Sequence, residues 1–354
     1  MSVMDYRNLT TLCLLSVSTI LVSCKRMDHD MKEVLVEYPA AYVVNGADAS
    51  VSVINLASNE VSETLKLDSW RTIVKWPHHI YASPVTNELS IAVPGRDLSA
   101  GHGGSMVNIK GMVMVLDANK GVVIKDVQLP AMNHNAVFSP DGKEIWTSQM
   151  EMDGKILVYD ASTYKLKNTV RVGKDPAEVT FSADGSKAYV ANGSSNDVSV
   201  INPLTKTIIA TIPVGDEPVA AWIGYDNKMY VDNEDGETVS VIDVQTNTVM
   251  QTIALGFMPG SVAHHRGKDE LWVTDPDNGK VHFWLKSPAM GLWNRAGSFK
   301  AAMGAHAIAY TRDGAIAYVT NQEANSVSVI RVADHSKIKD IPVGKKPNGI
   351  VIKN

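Results

Sequence analysis

The sequence predicts an all-β protein: a seven-bladed β-propeller made of four-stranded antiparallel blades. A repeat, its flanking turns and the lack of helical periodicity after the N-terminal region together predict this fold. The tetrapeptide Val-Ser-Val-Ile occurs four times, each time after a short strand and an Asn-containing turn. The copies are Val51–Ile54, Val198–Ile201, Val239–Ile242 and Val327–Ile330. Self-similarity at a regular spacing indicates a repeat architecture.

One repeat unit, residues 176–217, contains four short β-rich segments. They read AEVTF, KAYVAN, VSVIN and TIIATIPV, and polar turns such as Ala183–Ser186 separate them. Four antiparallel strands in about 40 residues are typical of one propeller blade. A single blade cannot bury its own faces, so the units are expected to stack around an axis.

The number of units follows from the positions that correspond to Pro176. These are Pro77, Asn133, Pro218, Pro259, Ala305 and Pro347. The last unit supplies one strand only, Pro347–Ile352, whereas the first unit, residues 41–67, lacks its first strand. The two fragments predict one composite blade in which the C-terminal strand is innermost. Such a closure joins the chain ends and leaves no free sheet edge.

A family resemblance rests on the second strand of each unit. Tyr318–Asn321 reads Tyr-Val-Thr-Asn, with variants beginning at Tyr42, Tyr189 and Tyr230. Together with the VSVI and IPVG elements, this resembles the YVTN-repeat β-propeller proteins over residues 41–354. The resemblance implies the fold. It also implies a more distant similarity to the haem-binding propeller of cytochrome-type nitrite reductases, but it does not identify a function.

The N-terminus is similar to a bacterial lipoprotein signal. An apolar run, Leu9–Val22, is followed by Ser23 and Cys24 in the sequence LVSC. We therefore expect a signal peptide at residues 1–23, lipidation of Cys24, a tether at residues 24–40 and a propeller at residues 41–354. The only other cysteine, Cys13, lies within the signal, so mature Cys24 has no disulfide partner. The alternative is an ordinary cleavable signal followed by a chance cysteine.

These features predict a protein of the bacterial cell envelope, held by lipid at the outer membrane and facing the periplasm or the surface. The membrane is then one partner, and other envelope proteins are possible partners. The net charge is −5 and the sequence contains no basic stripe. The charge pattern therefore predicts no nucleic-acid partner.

Three histidines occupy the same position of the repeat. His78, His134 and His306 align with Ala177, at the start of the innermost strand. We expect them to converge at one mouth of the central channel. Neutral imidazoles are the commonest metal ligands in proteins, so the set predicts a transition-metal site for zinc, copper or iron. The alternative interpretation is polar channel lining that binds water.

The longest insertion falls on the same blades and the same face. The loop between Ile91 and Val113 contains Arg96, Asp97 and His102. Loops that depart from a repeat often carry function, so Arg96 and His102 are further candidate cofactor-binding residues. A non-covalent haem-type macrocycle is the alternative cofactor. Covalent c-type haem is excluded because the chain has no Cys-x-x-Cys-His.

Three functions remain open from the sequence. The first is a binding scaffold with a metal or cofactor at the His-lined mouth. The second is a periplasmic oxidoreductase or tetrapyrrole-processing enzyme that uses the same site, and the third is a structural surface protein that binds partner proteins or glycans. Catalytic residues cannot be named. His264, His265 and Arg266 are expected in a solvated turn on the opposite face.

Overall fold

A computed structural model describes residues 34–69, 72–99 and 109–354. This part of the chain forms seven four-stranded antiparallel sheets arranged as a β-propeller, which confirms the predicted fold class. The innermost strands surround the channel. In chain order they are β4 (Ile80–Ala82), β8 (Ala136–Phe138), β12 (Pro176–Phe181), β16 (Pro218–Ile223), β20 (Val262–His265), β24 (Ala305–Tyr310) and β28 (Pro347–Lys353).

Three further strands follow outward in each blade. The second strands are β1 (Ala40–Asn45), β5 (Glu88–Val93), β9 (Glu144–Gln149), β13 (Ala188–Asn192), β17 (Lys228–Asn233), β21 (Glu270–Asp275) and β25 (Ile316–Asn321). The third strands are β2 (Ser50–Asn55), β6 (Met112–Asp117), β10 (Lys155–Asp160), β14 (Asp197–Asn202), β18 (Thr238–Asp243), β22 (Lys280–Lys286) and β26 (Ser326–Arg331). The outermost strands are β3 (Glu60–Lys66), β7 (Val122–Gln128), β11 (Leu166–Arg171), β15 (Thr207–Pro213), β19 (Thr248–Ala254), β23 (Trp293–Lys300) and β27 (Ser336–Pro342).

The chain ends close the ring as the two fragmentary units predict. Strand β28 pairs antiparallel with β1, with Tyr42 opposite Val351 and Asn45 opposite Pro347. The resulting sheet has the order β28-β1-β2-β3. On either side, β28 also contacts the innermost strands β24 and β4 of the neighbouring blades. The composite blade therefore completes the ring and leaves no inner sheet edge open.

The repeated asparagine fixes the turn between the second and third strands. Blades are numbered in chain order, and the composite blade β28-β1-β2-β3 is blade 1. In blade 1, the Asn45 side-chain amide donates to Ser50 Oγ (3.0 Å) and Ser52 Oγ (2.9 Å). Asn321 makes the same two bonds to Ser326 and Ser328. The serine of Val-Ser-Val-Ile is therefore the acceptor for the asparagine of Tyr-Val-Thr-Asn, which explains why the two motifs recur together.

In three of its four copies the repeated tyrosine links one blade to the next. Tyr42 Oη donates to the carbonyl of Ala118 (2.8 Å) in the next blade, and Tyr318 donates to Asn59 across the closure. The valines of the same motifs, such as Val51 and Val53, are fully buried between blades. Burial of such side chains drives the stacking, and the tyrosine bonds set its register.

The segment before the first strand lies on the propeller. Val34 and Val36 are buried, and their amides donate to the carbonyls of Lys120 and Asn119. Within the described ranges, no helix has the length and apolar character needed to cross a bilayer. The predicted signal peptide, Cys24 and His102 lie outside the described residues.

Candidate functional site

Irregular backbone at the start of the innermost strands positions the site. In blades 2 and 3 the strand begins late, at Ile80 and Ala136, so the preceding histidines lie in non-repetitive backbone. In blade 4 the register of β12 against β13 shifts between Pro176 and Val179. Such bulges break the alternation of side chains and re-aim them, and they are common beside functional sites.

Two of the three predicted histidines lie in direct ring contact. The rings of His78 and His134 are 4.4 Å apart between centroids. A third ring, His79, completes the cluster at 4.5 Å from His78 and 5.0 Å from His134. One ring nitrogen of each residue lies within 4.8 Å of the other two. All three side chains are buried.

His306 lies slightly further out on the same cavity. Its ring centroid is 5.7 Å from His79 and 6.1 Å from His78. Arg96 lies beside His78, and both line a small gap of about 10 Å³. The structure thus brings four of the five predicted cofactor-binding residues to one end of the channel, and the fifth, His102, is outside the described residues.

A buried carboxylate joins two of the rings. Glu178 is fully buried, and its Oε1 lies 2.9 Å from His134 Nδ1 and 3.1 Å from His79 Nε2. Because an ionised carboxylate only accepts, both bonds require a proton on the histidine nitrogen. In its neutral form each ring keeps a lone pair on its other nitrogen: Nε2 of His134 and Nδ1 of His79. This is the carboxylate–histidine arrangement that orients metal ligands.

Further hydrogen bonds hold the cluster. Tyr81 Oη donates to Glu178 Oε2 (3.1 Å), and the Asn348 amide lies 3.1 Å from His78 Nε2. Burial raises the pKa of Tyr81 well above its usual range, and the Glu178 carboxylate raises it further. Tyr81 is therefore a neutral donor at physiological pH. Asn348 thus lies among the residues that support the histidines.

Sequence reasoning missed His79 and Glu178. Both occupy the repeat position directly after the histidine position, where the other blades carry Asn, Ala, Ser, Ala and Gly. Strict alternation along a strand places neighbours on opposite faces, so the residue after the histidine position is not expected to face the channel with it. The signal that could have found it is a comparison of this second position, in which His79 and Glu178 are the two ionisable residues.

The cluster opens onto a cavity of about 280 Å³. Its wall includes all four histidines, Glu178, Trp222 and three further acidic residues: Asp232, Glu234 and Asp277. No Lys or Arg is among the described residues that line it. The chamber is therefore acidic and is large enough for a small ligand beside the histidines.

The opposite end of the channel differs from the sequence expectation. His264 and His265 are buried rather than solvated, because β20 extends to His265 and both rings pack against aromatic side chains. They line a second cavity of about 570 Å³. His264 also lies near Asp226 and Asp269, but Asp226 already pairs with Lys286 (2.9 Å). That pairing makes this cluster a poorer metal site than the His78 cluster.

Comparison with protein families places the chain. The model of the choice-of-anchor I domain matches residues 147–348. The chain belongs to the choice-of-anchor I domain family. Membership of this family indicates a protein of the cell surface or envelope. No curated protein matches the chain in sequence.

Solved structures share the propeller fold at low sequence identity. The periplasmic gluconolactonase PpgL of Pseudomonas aeruginosa is 16% identical, with a TM-score of 0.71 over 89% of this chain and 99% of that one. The dihydro-heme d1 dehydrogenase NirN in complex with DHE is 15% identical, with a TM-score of 0.62 over 90% of this chain and 77% of that one. Kuenenia stuttgartiensis hydrazine synthase is 17% identical, with a TM-score of 0.62 over 80% and 92%. These likenesses establish the fold alone.

Proposed function

We propose that this choice-of-anchor I domain protein is an envelope propeller that binds one divalent first-row transition metal at the end of its channel. His78, His79 and His134 supply the nitrogen ligands, and Glu178 holds two of the rings in the tautomers that a metal requires. The observation that carries the proposal is the contact of one buried carboxylate oxygen with His79 and His134. The set retains His78 and His134 from the sequence prediction and adds His79.

The donor set fits such a metal. Imidazole nitrogens suit zinc, copper, iron and nickel, and three of them with an open side leave room for an external ligand. When bound, the ion would act as a Lewis acid or redox centre facing the cavity. His306 lies on the wall of the same cavity, and Tyr81 and Asn135 donate hydrogen bonds to Glu178.

Metal analysis of the purified protein tests the proposal. We expect about one equivalent of zinc, copper, iron or nickel in the wild type and loss of stoichiometric metal in His134→Ala. Glu178→Gln should weaken metal affinity about 10- to 100-fold, the usual effect of losing a carboxylate that orients a ligand. The exposed Glu237→Gln variant is the matched control and should bind as the wild type does. A wild type that binds no transition metal refutes the proposal.

The second candidate is an oxidoreductase that uses the same site. The observation that favours it is Tyr81, whose hydroxyl donates to Glu178 and whose side chain also lines the opposite cavity. A side chain placed this way connects the histidine cluster to the opposite cavity, where a redox partner would have to bind. An absorption spectrum separates the candidates: a Soret band indicates a haem-type macrocycle, and a colourless stoichiometric metal favours the first proposal. With neither, a structural surface protein that binds partner proteins or glycans remains.

We also propose that Cys24 is acylated and tethers the propeller to the outer membrane, with the LVSC motif as support. Two acyl chains are sufficient for stable anchoring. We expect the Cys24→Ser variant to appear in the soluble periplasmic fraction while the wild type sediments with membranes. Unchanged membrane partition of the variant would contradict the anchor.

A further inference from the structure

Asp232 differs from its counterparts in other blades. At this position of the second strand, Thr320 Oγ1 accepts a bond from the Ala307 amide (2.9 Å), and Ser148 Oγ lies 3.4 Å from the His134 amide. Asp232 Oδ1 accepts the corresponding hydrogen bond from the Ala220 amide (2.9 Å). A hydroxyl is therefore enough for the structural role, and Asp232 brings a second oxygen that the fold does not need.

That second oxygen belongs to the cavity. Oδ1 also accepts from Trp222 Nε1 (3.1 Å), whereas Oδ2 has no hydrogen-bond partner among the described residues. The residue is only 1% exposed and lines the 280 Å³ cavity. A buried carboxyl oxygen without a partner is costly in free energy, so a ligand that donates a hydrogen bond there would be favoured.

The rest of the wall identifies the charge of that ligand. Glu178, Glu234 and Asp277 add carboxyl groups, and no Lys or Arg lies among the described lining residues. Trp222 contributes an indole ring, the aromatic group that attracts cations most strongly. An anion would meet repulsion from these groups, whereas a small organic cation would meet an opposite charge and a hydrogen-bond acceptor.

We infer that the cavity binds a small primary amine at Asp232 Oδ2. Its ammonium group donates a hydrogen bond to this oxygen, and the proton that the buried carboxyl carries in the ligand-free protein is released to solvent. A primary amine is thus the ligand class of the proposed site. Only the position of the amine beside the metal rests on the proposed function. The acceptor and the acidic wall belong to the protein itself, so an amine is expected to bind even when the metal has been removed.

Calorimetric titration with ethanolamine tests the inference on the full mature chain, before and after removal of metal with a chelator, in an amine-free buffer. We expect a Kd of about 1 mM or tighter for the wild type, which lies within the efficiency limit for so small a ligand. Asp232→Thr introduces the residue found at the corresponding position of blade 7, Thr320, and should weaken ethanolamine binding about tenfold or more. Ethylene glycol, a neutral probe of similar size, should not bind.

Asp235→Asn is the matched control because it removes one exposed carboxylate from the turn that follows the strand of Asp232, outside the cavity lining, and it should bind ethanolamine as the wild type does. Asp232→Ser serves as a second test if the threonine variant does not fold. Absence of ethanolamine binding by the wild type, or equal binding by the Asp232 variants, overturns the inference. Metal bound without amine binding overturns this inference alone, and amine bound without metal overturns the metal proposal alone.

Discussion

At the scale of single residues, the channel end concentrates ionisable groups that a propeller does not need for folding. Glu178 is fully buried against two histidines, and Asp232 is buried with one oxygen that has no partner within the described part of the chain. Burial raises the pKa of Asp232 well above its usual range, and the carboxylates of Glu234 and Glu178 add to the shift. Groups with shifted pKa values in a cleft are typical of functional sites.

This shift has a consequence for stability. The unfolded chain releases the Asp232 proton above about pH 3.9, whereas the folded protein retains it to higher pH. Folding therefore takes up a proton, and the free energy of unfolding falls as the pH rises from about 4 toward the raised pKa. We expect Asp232→Asn, which stays neutral, to raise the Tm at pH 7 and to leave it unchanged near pH 3.

Thermal unfolding of the wild type and Asp232→Asn at a series of pH values measures this effect. For a protein of this size, each kcal/mol added to the free energy of unfolding raises the Tm by at most about 4 °C. The exposed Asp235→Asn is the control for a general change in charge. An equal Tm difference at pH 3 and pH 7 would show that Asp232 is not neutral in the folded protein.

At the scale of strands, the repeated motifs work as connectors between and within blades. The Asn45 amide fixes the turn onto Ser50 and Ser52, and Tyr42 reaches into the next blade. Because these roles depend on a few residues at fixed spacing, the strands and the closure of the ring could be predicted from the repeat.

Tyr42→Phe tests the connector role. The Tyr42 hydroxyl donates to the carbonyl of Ala118, a fully buried residue, so the substitution leaves a buried acceptor without its donor. We expect the free energy of unfolding to fall by about 1–3 kcal/mol. Tyr38→Phe removes an exposed bond to Ser62 and should change it by less than about 0.5 kcal/mol. If denaturant titrations show the same loss of unfolding free energy for Tyr42→Phe and Tyr38→Phe, Tyr42 does not act as a connector between blades.

The same reasoning explains what the sequence could not supply. His78 and His134 were found because they repeat at one position, whereas His79 and Glu178 occupy the next position. Alternation would point them away from the channel, but the irregular starts of the inner strands bring them to it. Local departures of the backbone from regular strand geometry leave no periodic signal in the sequence. The proposed set of metal ligands could therefore be assigned only from the structure.

At the scale of the whole molecule, ring closure makes the site possible. Strand β28 completes blade 1 beside β1 and carries Asn348 to His78. His134 and Glu178 come from blades 3 and 4, so the cluster spans four neighbouring blades. Seven inner strands thus bring residues from distant parts of the chain to one point, which a single blade could not do.

The most direct test is an anomalous-difference map, recorded at the zinc edge, from crystals grown with Zn²⁺. The proposal predicts one strong peak at the channel end, bonded to a ring nitrogen of His78, His79 and His134 at about 2.0–2.1 Å. The same map would show whether His306, the third histidine at that repeat position, joins them. Zinc found only at surface residues, with the three rings still hydrogen-bonded and no ion between them, would contradict the account.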